Sequence, residues 1–347
     1  MAAALVAAVA PLRTADSPVL PSLTGGKDSR LVAAALATAG VTVRARTYGF
    51  AGQLDVVLAT EIAGRLGIEH TVTMPATPDQ QTDVAGRIRA AVLVADGMLS
   101  AFENVGRPDP ALSPTITAGG HGGELLRGGY AEVAAERRGR PPAALRAGEL
   151  LRRLTTRHLA LLRRGAAAGY VASLAPWTAA LARRPLHALD DFYLVNRAGR
   201  WSAAARQAYL IRESLVQPLF DEQVVLAARA VPLADRISGE LSNAVLAELR
   251  PSLATVPLAG KPAKGTAAAF DWRREYGAEI ASFLRDYTLD LGTSGGLFDV
   301  VSRPAAEKAL ASPQPDRATV WALATLACLV SGDYRNAREF SPLLSVT

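Results

Sequence analysis

Leu23-Thr24-Gly25-Gly26-Lys27-Asp28-Ser29 joins a short apolar stretch to a segment in which Leu31, Val32, Ala35 and Leu36 recur at helical spacing. The run from Ser17 to Leu23, entered through Pro18, reads as a strand, so the glycine pair lies at a strand's carboxyl end and opens a helix. Open α/β sheets bind ligands at that position. Such a turn presents successive backbone N–H groups and a helix N-terminus to an anion, and a carboxylate beside it can hold a metal ion. A nucleotide pyrophosphate with Mg²⁺ fits these features. The pattern is not a Walker A loop: Asp28 follows Gly26-Lys27 where Ser or Thr is required, and the first glycine would fall on Pro21. Nor does it match G-x-G-x-x-G.

A second glycine-dense segment follows a short apolar strand near 114–118: Gly119-Gly120-His121-Gly122-Gly123-Glu124-Leu125-Leu126-Arg127-Gly128-Gly129-Tyr130. Each glycine would cost about 1 kcal/mol in a helix interior, so the backbone here is kept open.

The first loop resembles the S-G-G-x-D-S loop of the PP-loop ATP pyrophosphatases, with Thr24 in place of the first Ser and Gly25, Gly26, Asp28 and Ser29 matching. The second resembles the S-G-x-G-x-D-E-x-x-G-G-Y loop of the asparagine synthetase C-terminal domain and its relatives, the β-lactam and carbapenam synthetases and lasso-peptide cyclases. In that family the acids of the two loops hold Mg²⁺ between ATP phosphates. The family's Asp-Glu pair reads Glu124-Leu125 here, which leaves Glu124 as the carboxylate to partner Asp28. Hard cations accept either acid.

The resemblance implies an ATP site built from Leu23, Thr24, Gly25, Gly26, Lys27, Asp28 and Ser29, with Gly119 and Gly120 from the second loop. Thr47-Tyr48-Gly49-Phe50 ends a second strand, and in relatives this strand end touches the adenine, which adds Tyr48 and Gly49. The family also carries an essential lysine in a late loop, often with a glycine close behind. Val256 to Gly265 has that form, and Lys264, which precedes Gly265, is favoured over Lys261. Lysine usage supports this: among 38 Lys plus Arg, only Lys27, Lys261, Lys264 and Lys308 are lysines. A compact ammonium suits a phosphate or a developing oxyanion.

The β-lactam-forming relatives deprotonate the attacking amine with a Tyr–Glu pair whose Tyr lies between two glycines of the second loop. His121 takes that position here, as a base or as a contact to phosphate or solvent. Pro218-Leu219-Phe220-Asp221 resembles the family's Pro-Phe-Leu-Asp segment, with Asp221 as a helix N-cap.

Composition suits an enzyme with a full core: 347 residues, 50% hydrophobic. The apolar run Trp321 to Val330 is too short to span a bilayer. Met1 to Ala10 lacks the basic start of a signal peptide and reads as a packed first helix. Cys328 is the single cysteine and is expected to be buried, so no disulfide framework forms within the chain. His70, His121, His158 and His187 show no metal-binding spacing. A cytoplasmic location without membrane attachment is expected. The net charge of +6 is uneven, and Arg137 to Arg164 form a basic stretch that reads as a solvated helix face, without the aromatic residues that stack bases.

Strands near 18–23, 41–48, 69–73 and 114–118 alternate with helical patterns near 28–39, 52–66 and 78–95. This rhythm predicts an α/β fold with a parallel sheet and helices on both faces, and the resemblance makes it adenine nucleotide alpha hydrolase-like. From about residue 143 the pattern is helical, over 143–164, 174–183, 186–198, 202–215, 222–230, 240–249, 272–288, 303–311 and 316–331. We expect a nucleotide-binding PP-loop core over 1–135 and a helical substrate-binding part over 136–347, with the lysine loop near 256–265.

The resemblance implies an ATP-dependent, AMP-forming ligase that adenylates a carboxylate and passes the acyl group to an amine, as in asparagine synthetase or in lactam and macrolactam formation. Its cofactors would be ATP and Mg²⁺. Its partners would be a small-molecule or peptide carboxylate and amine, with a separate precursor peptide or amidotransferase chain as a further candidate. The family's N-terminal glutaminase begins with a cysteine after the initiator Met, whereas this sequence opens Met1-Ala2-Ala3, so no glutaminase is expected. A second reading is a degenerate, non-catalytic relative that binds nucleotide or a partner, motivated by Glu124-Leu125. A third, a PP-loop tRNA-modifying enzyme, does not account for residues 119–130, and nucleic acid is not expected.

Overall fold

The computed structural model describes residues 1–74, 83–103, 115–135, 143–207, 213–259 and 276–336. Helix α1 (Ala2–Val9) buries Ala2, Leu5 and Val9, the packed first helix expected. Strand β1 (Leu20–Pro21) runs into the first glycine loop and helix α2 (Lys27–Thr38). Strand β2 (Arg44–Tyr48), helix α3 (Leu54–Leu66), strand β3 (Glu69–Thr73), helix α4 (Val84–Ala95) and strand β4 (Thr115–Ala118) follow.

All pairings among these strands are parallel. β1 pairs with β4, and β2 pairs with β3 over the full register Arg44–Glu69 to Tyr48–Thr73. Parallel bridges Val19–Val43 and Ser22–Arg46 join the two ladders. Parallel sheets need cover on both faces, and α2 shows this in its sequence. Arg30 to Leu36 are buried all round the helix, and the alanines Ala33, Ala34 and Ala35 allow close backbone approach.

The segment 202–215 reads as a helix; among the described residues α-helix covers Ala203–Gln207, and Glu213–Val216 forms strand β5, paired in parallel with β4. A short apolar run carries no reliable period, and here the open edge of β4 supplies the backbone partners. Pro218 then ends the ladder, because it has no N–H to donate.

The helix expected over 186–198 is α-helical only from Pro185 to Phe192 and continues as a π-helix over Tyr193–Ser202. The segment expected as one helix over 143–164 breaks after Ala143–Thr156 and restarts at Arg164–Ser173. The exposed Arg152, Arg153, Arg163 and Arg164 lie on this stretch, and Arg157 pairs with Asp316 at 2.9 Å.

The main core joins α1, α2, α3 and the residues Val19 and Leu23 flanking β1 to Val245, Leu246 and Leu249 of the helix Glu240–Leu249 and to Leu253 and Val256 beyond it. A second core gathers α4 with the helices Ala278–Gly295 and Arg317–Ser331 around Trp321 and the buried Cys328. Burial raises that thiol to about 11, so it stays protonated and inert. Among the described residues, no helix is long and apolar enough to cross a membrane.

Candidate functional site

The first loop is tied down by its own side chains. The Thr24 and Ser29 hydroxyls lie 3.0 Å apart, and the backbone N–H of Thr24 donates to Ser29 Oγ at 3.1 Å. Gly26 N–H donates to Thr24 Oγ1 at 3.1 Å, and Gly25 N–H donates to Asp55 Oδ1 of α3 at 3.0 Å. The amides of Gly25 and Gly26, expected to meet an anion, are therefore already engaged. Among the described residues no side chain caps the α2 N-terminus, which leaves its first N–H groups as candidate anion donors.

Behind the loop, the buried Arg30 donates to the carbonyls of Gly25 (3.2 Å), Val256 (2.7 Å) and Pro257 (2.9 Å). Ala259 N–H donates to Gly25 O at 3.1 Å. The backbone leading to the lysine segment thus starts at the first loop. Lys261 and Lys264 themselves lie outside the described residues.

The second loop leaves β4, makes a short 3₁₀ turn over Gly123–Arg127, and closes on the first loop. A β-carbon on Gly120 would lie 2.7 Å from Ser29 N and 3.0 Å from the Asp28 carbonyl carbon. One on Gly123 would overlap the Asp28 carboxyl group. Gly122 enters the turn at φ 100°, which glycine adopts without steric cost. The glycines expected from the sequence therefore serve backbone approach.

Asp28 and Glu124 come together here. Burial pushes the Asp28 carboxyl above the usual carboxylate range, despite the hydrogen bond and charge of Arg127, and the nearby negative charge of Glu124 adds to the rise. Arg127 donates to Asp28 at 2.6 Å and lies 3.5 Å from Glu132. Glu124 accepts the hydroxyl of Tyr193 at 2.8 Å. Burial and the Glu124 charge raise the Tyr193 phenol, so it stays a neutral donor. Among the described residues no group of three or more His, Cys, Asp or Glu converges.

The chain belongs to the asparagine synthase family, whose model matches residues 1–250. That match covers most of the chain and includes both glycine loops. No curated protein matches the chain. The asparagine synthase assignment brings ATP-using, ligase-like chemistry of the PP-loop kind.

The remaining expected positions of this asparagine synthase domain fall as follows. Leu23 is fully buried, and its carbonyl accepts from Thr47 Oγ1 at 2.7 Å. The Lys27 ammonium reaches Gly239, where an added β-carbon would lie 3.5 Å away. Tyr48 is 56% exposed with Arg46 over its ring, and Gly49 packs on Gln53 and Val56. His121 is half-buried between Gly120 and Gly122. A β-carbon on Gly119 would meet the amide of Gln217, whose nitrogen and oxygen are buried without a hydrogen-bond partner among the described residues. Asp221 caps the helix Glu222–Ala230, accepting from Gln223 N at 2.9 Å.

Sequence reading missed Asp55, Arg30, Arg127, Tyr193 and Gln217. Arg127 carried a signal, since it is a charged residue inside a glycine-rich loop. The other four act across distances that no local pattern encodes.

Proposed function

We propose that this chain is an ATP-dependent, AMP-forming carbon–nitrogen ligase. The observation that supports it is the contact between the two glycine loops at Asp28, with Gly120 against the Ser29 backbone and Gly123 against the Asp28 carboxyl. Two carboxylates within charge–charge reach fit a hard divalent cation. Asp28 and Glu124 would hold Mg²⁺, with the other ligands drawn from phosphate and water, and the bound ion would supply charge neutralisation at the phosphates.

In the first step a substrate carboxylate oxygen attacks the α-phosphorus of ATP. The bond to the β-phosphate oxygen breaks, and pyrophosphate leaves with that electron pair. The α2 N-terminus and the Lys27 ammonium bind the departing pyrophosphate. Arg127, freed from Asp28 when a cation takes its place, is a second positive charge at this point. In the second step an amine nitrogen attacks the acyl carbon, AMP leaves, and the amine proton passes to a base, for which His121 is the candidate. Lys264, or Lys261, would stabilise the oxyanion, a contact typically worth about 3 kcal/mol of barrier. The amine comes from the substrate itself, from free ammonia, or from a precursor peptide or amidotransferase partner.

Incubation with Mg²⁺-ATP and paired carboxylate and amine substrates should release AMP and pyrophosphate in equal amounts. A second reading, a non-catalytic nucleotide-binding relative, draws on the Arg127–Asp28 ion pair, which neutralises the acid that would hold the metal. Nucleotide binding without carboxylate-dependent pyrophosphate release across a broad panel would favour it.

A further inference from the structure

On the helical side of the second loop lies a cavity of about 430 Å³, lined by Tyr130, Tyr170, Trp177 and Phe192 together with Arg197 and Arg200. Its volume is in the range of small-ligand sites. Trp177 meets Phe192 edge-on at 5.0 Å, and Phe192 meets Tyr130 at 6.2 Å. Edges and faces of this kind favour an aromatic guest.

The cavity shares Tyr130 with the second glycine loop. Tyr130 ends the second glycine loop and packs edge-on against Tyr193 at 5.3 Å, and Tyr193 holds Glu124. Arg197 lines the cavity, and its charge reaches the phenols of both Tyr130 and Tyr193, opposing the rise that burial gives them. Arg197 lies 3.4 Å over the Trp201 ring. No described carboxylate forms an ion pair with Arg197 or Arg200. A planar guanidinium held by an indole, next to an aromatic wall and without a counter-charge among the described residues, matches a carboxylate carried a few bonds from an aromatic ring. The π-helix Tyr193–Ser202 makes this arrangement: its wide turns carry Tyr193 to Glu124 and Arg197 to the cavity on one segment.

We propose that this cavity is the acyl-donor pocket and that it takes an alkyl carboxylate bearing an aryl ring, with its ring against Tyr130, Trp177 and Phe192 and its carboxylate on Arg197. Binding is independent of the ligase reading, but the acyl-donor role rests on it. The same chemistry is carried by a free aryl acid and by a peptide whose last residue is aromatic.

The test is calorimetric titration of the full chain without nucleotide, with tryptophan fluorescence as a second readout because Trp177 and Trp201 line the cavity. The ligands are 3-phenylpropanoate, its amide, an N-acetylated tripeptide ending in Phe, and aspartate. One or both aryl carboxylates should bind at least about ten-fold tighter than the amide and aspartate, and the tighter one identifies the source. Arg197→Met should weaken that binding by about ten-fold. Tyr170→Ala, at an exposed position that does not threaten folding, should weaken it several-fold. Arg44→Met, which removes an exposed arginine on β2, should leave it intact. Equal binding of all ligands, or binding unmoved by Arg197→Met and Tyr170→Ala, overturns the proposal. Carboxylate-dependent ATP–pyrophosphate exchange is then measured with the same ligands. Exchange supported by aspartate and not by the aryl acids overturns the acyl-donor role while the ligase reading stands. Arg197-dependent aryl binding with no exchange from any acid overturns the ligase reading, and the acyl-donor role with it.

Discussion

The Arg127 guanidinium closes on the Asp28 carboxylate at 2.6 Å, linking the two glycine loops across 99 residues of chain. Both side chains are largely buried, 16% and 24% exposed, so removing one partner leaves the other buried without its counter-charge. Arg127 here holds the position of a counter-ion between two acids. Arg127→Met should lower stability by about 2 kcal/mol, because Asp28 is then left beside Glu124 without a cation. Mg²⁺ should recover more stability in the variant than in the parent. Thermal melts with and without MgCl₂ check this, and equal shifts in both proteins would refute it.

Gly120 marks the closest backbone approach of the two loops. Gly120→Ala puts a methyl group 2.7 Å from Ser29 N, with no flexible side chain able to yield. ATP binding should fall by more than about ten-fold while the circular dichroism spectrum is kept. Gly148, in the helix Ala143–Thr156, has open space where its β-carbon would stand. Gly148→Ala should therefore stabilise the protein by about 0.5–1 kcal/mol, with ATP binding unchanged.

Arg236 and Asp190 form a buried pair at 2.6 Å, 3% and 2% exposed, and Arg236 also donates to the Leu125 carbonyl at 2.9 Å. This pair supports the second loop from beneath. Asp190→Ala leaves a buried guanidinium without its acid and should cost about 3–5 kcal/mol. Replacing both residues with apolar side chains should cost less. Urea denaturation of the single and double variants measures the difference, and a single variant as stable as the parent would contradict the assignment.

Asp333 gathers α4 and the C-terminal helices. Burial raises its carboxyl, but hydrogen bonds from Arg89, Tyr287 and Asn336 outweigh burial and hold it below the ordinary 3.8. A depressed folded-state value means that the stabilisation is present above 3.8 and is lost as pH falls through the lower folded value. Asp333→Asn should be less stable than the parent at neutral pH, and the gap should narrow as pH falls below about 3.8. A gap independent of pH over that range would count against the carboxylate's role.

Local residue patterns set the alternating elements and their turns. The strand-to-helix rhythm up to residue 118 is set by local apolar period and by Gly and Pro positions, and the glycine loops, the Asp221 cap and the burial of Cys328 follow from residue chemistry over a few positions. Which groups gather around Asp28 depends on long-range packing. Arg127, Asp55 and Tyr193 reach the site because the chain crosses itself there, and the energies that select those contacts are distributed over burial and charge far along the sequence. For the same reason Glu213–Val216 became a strand: its four residues carry no decisive pattern, and the open edge of β4 chose for them.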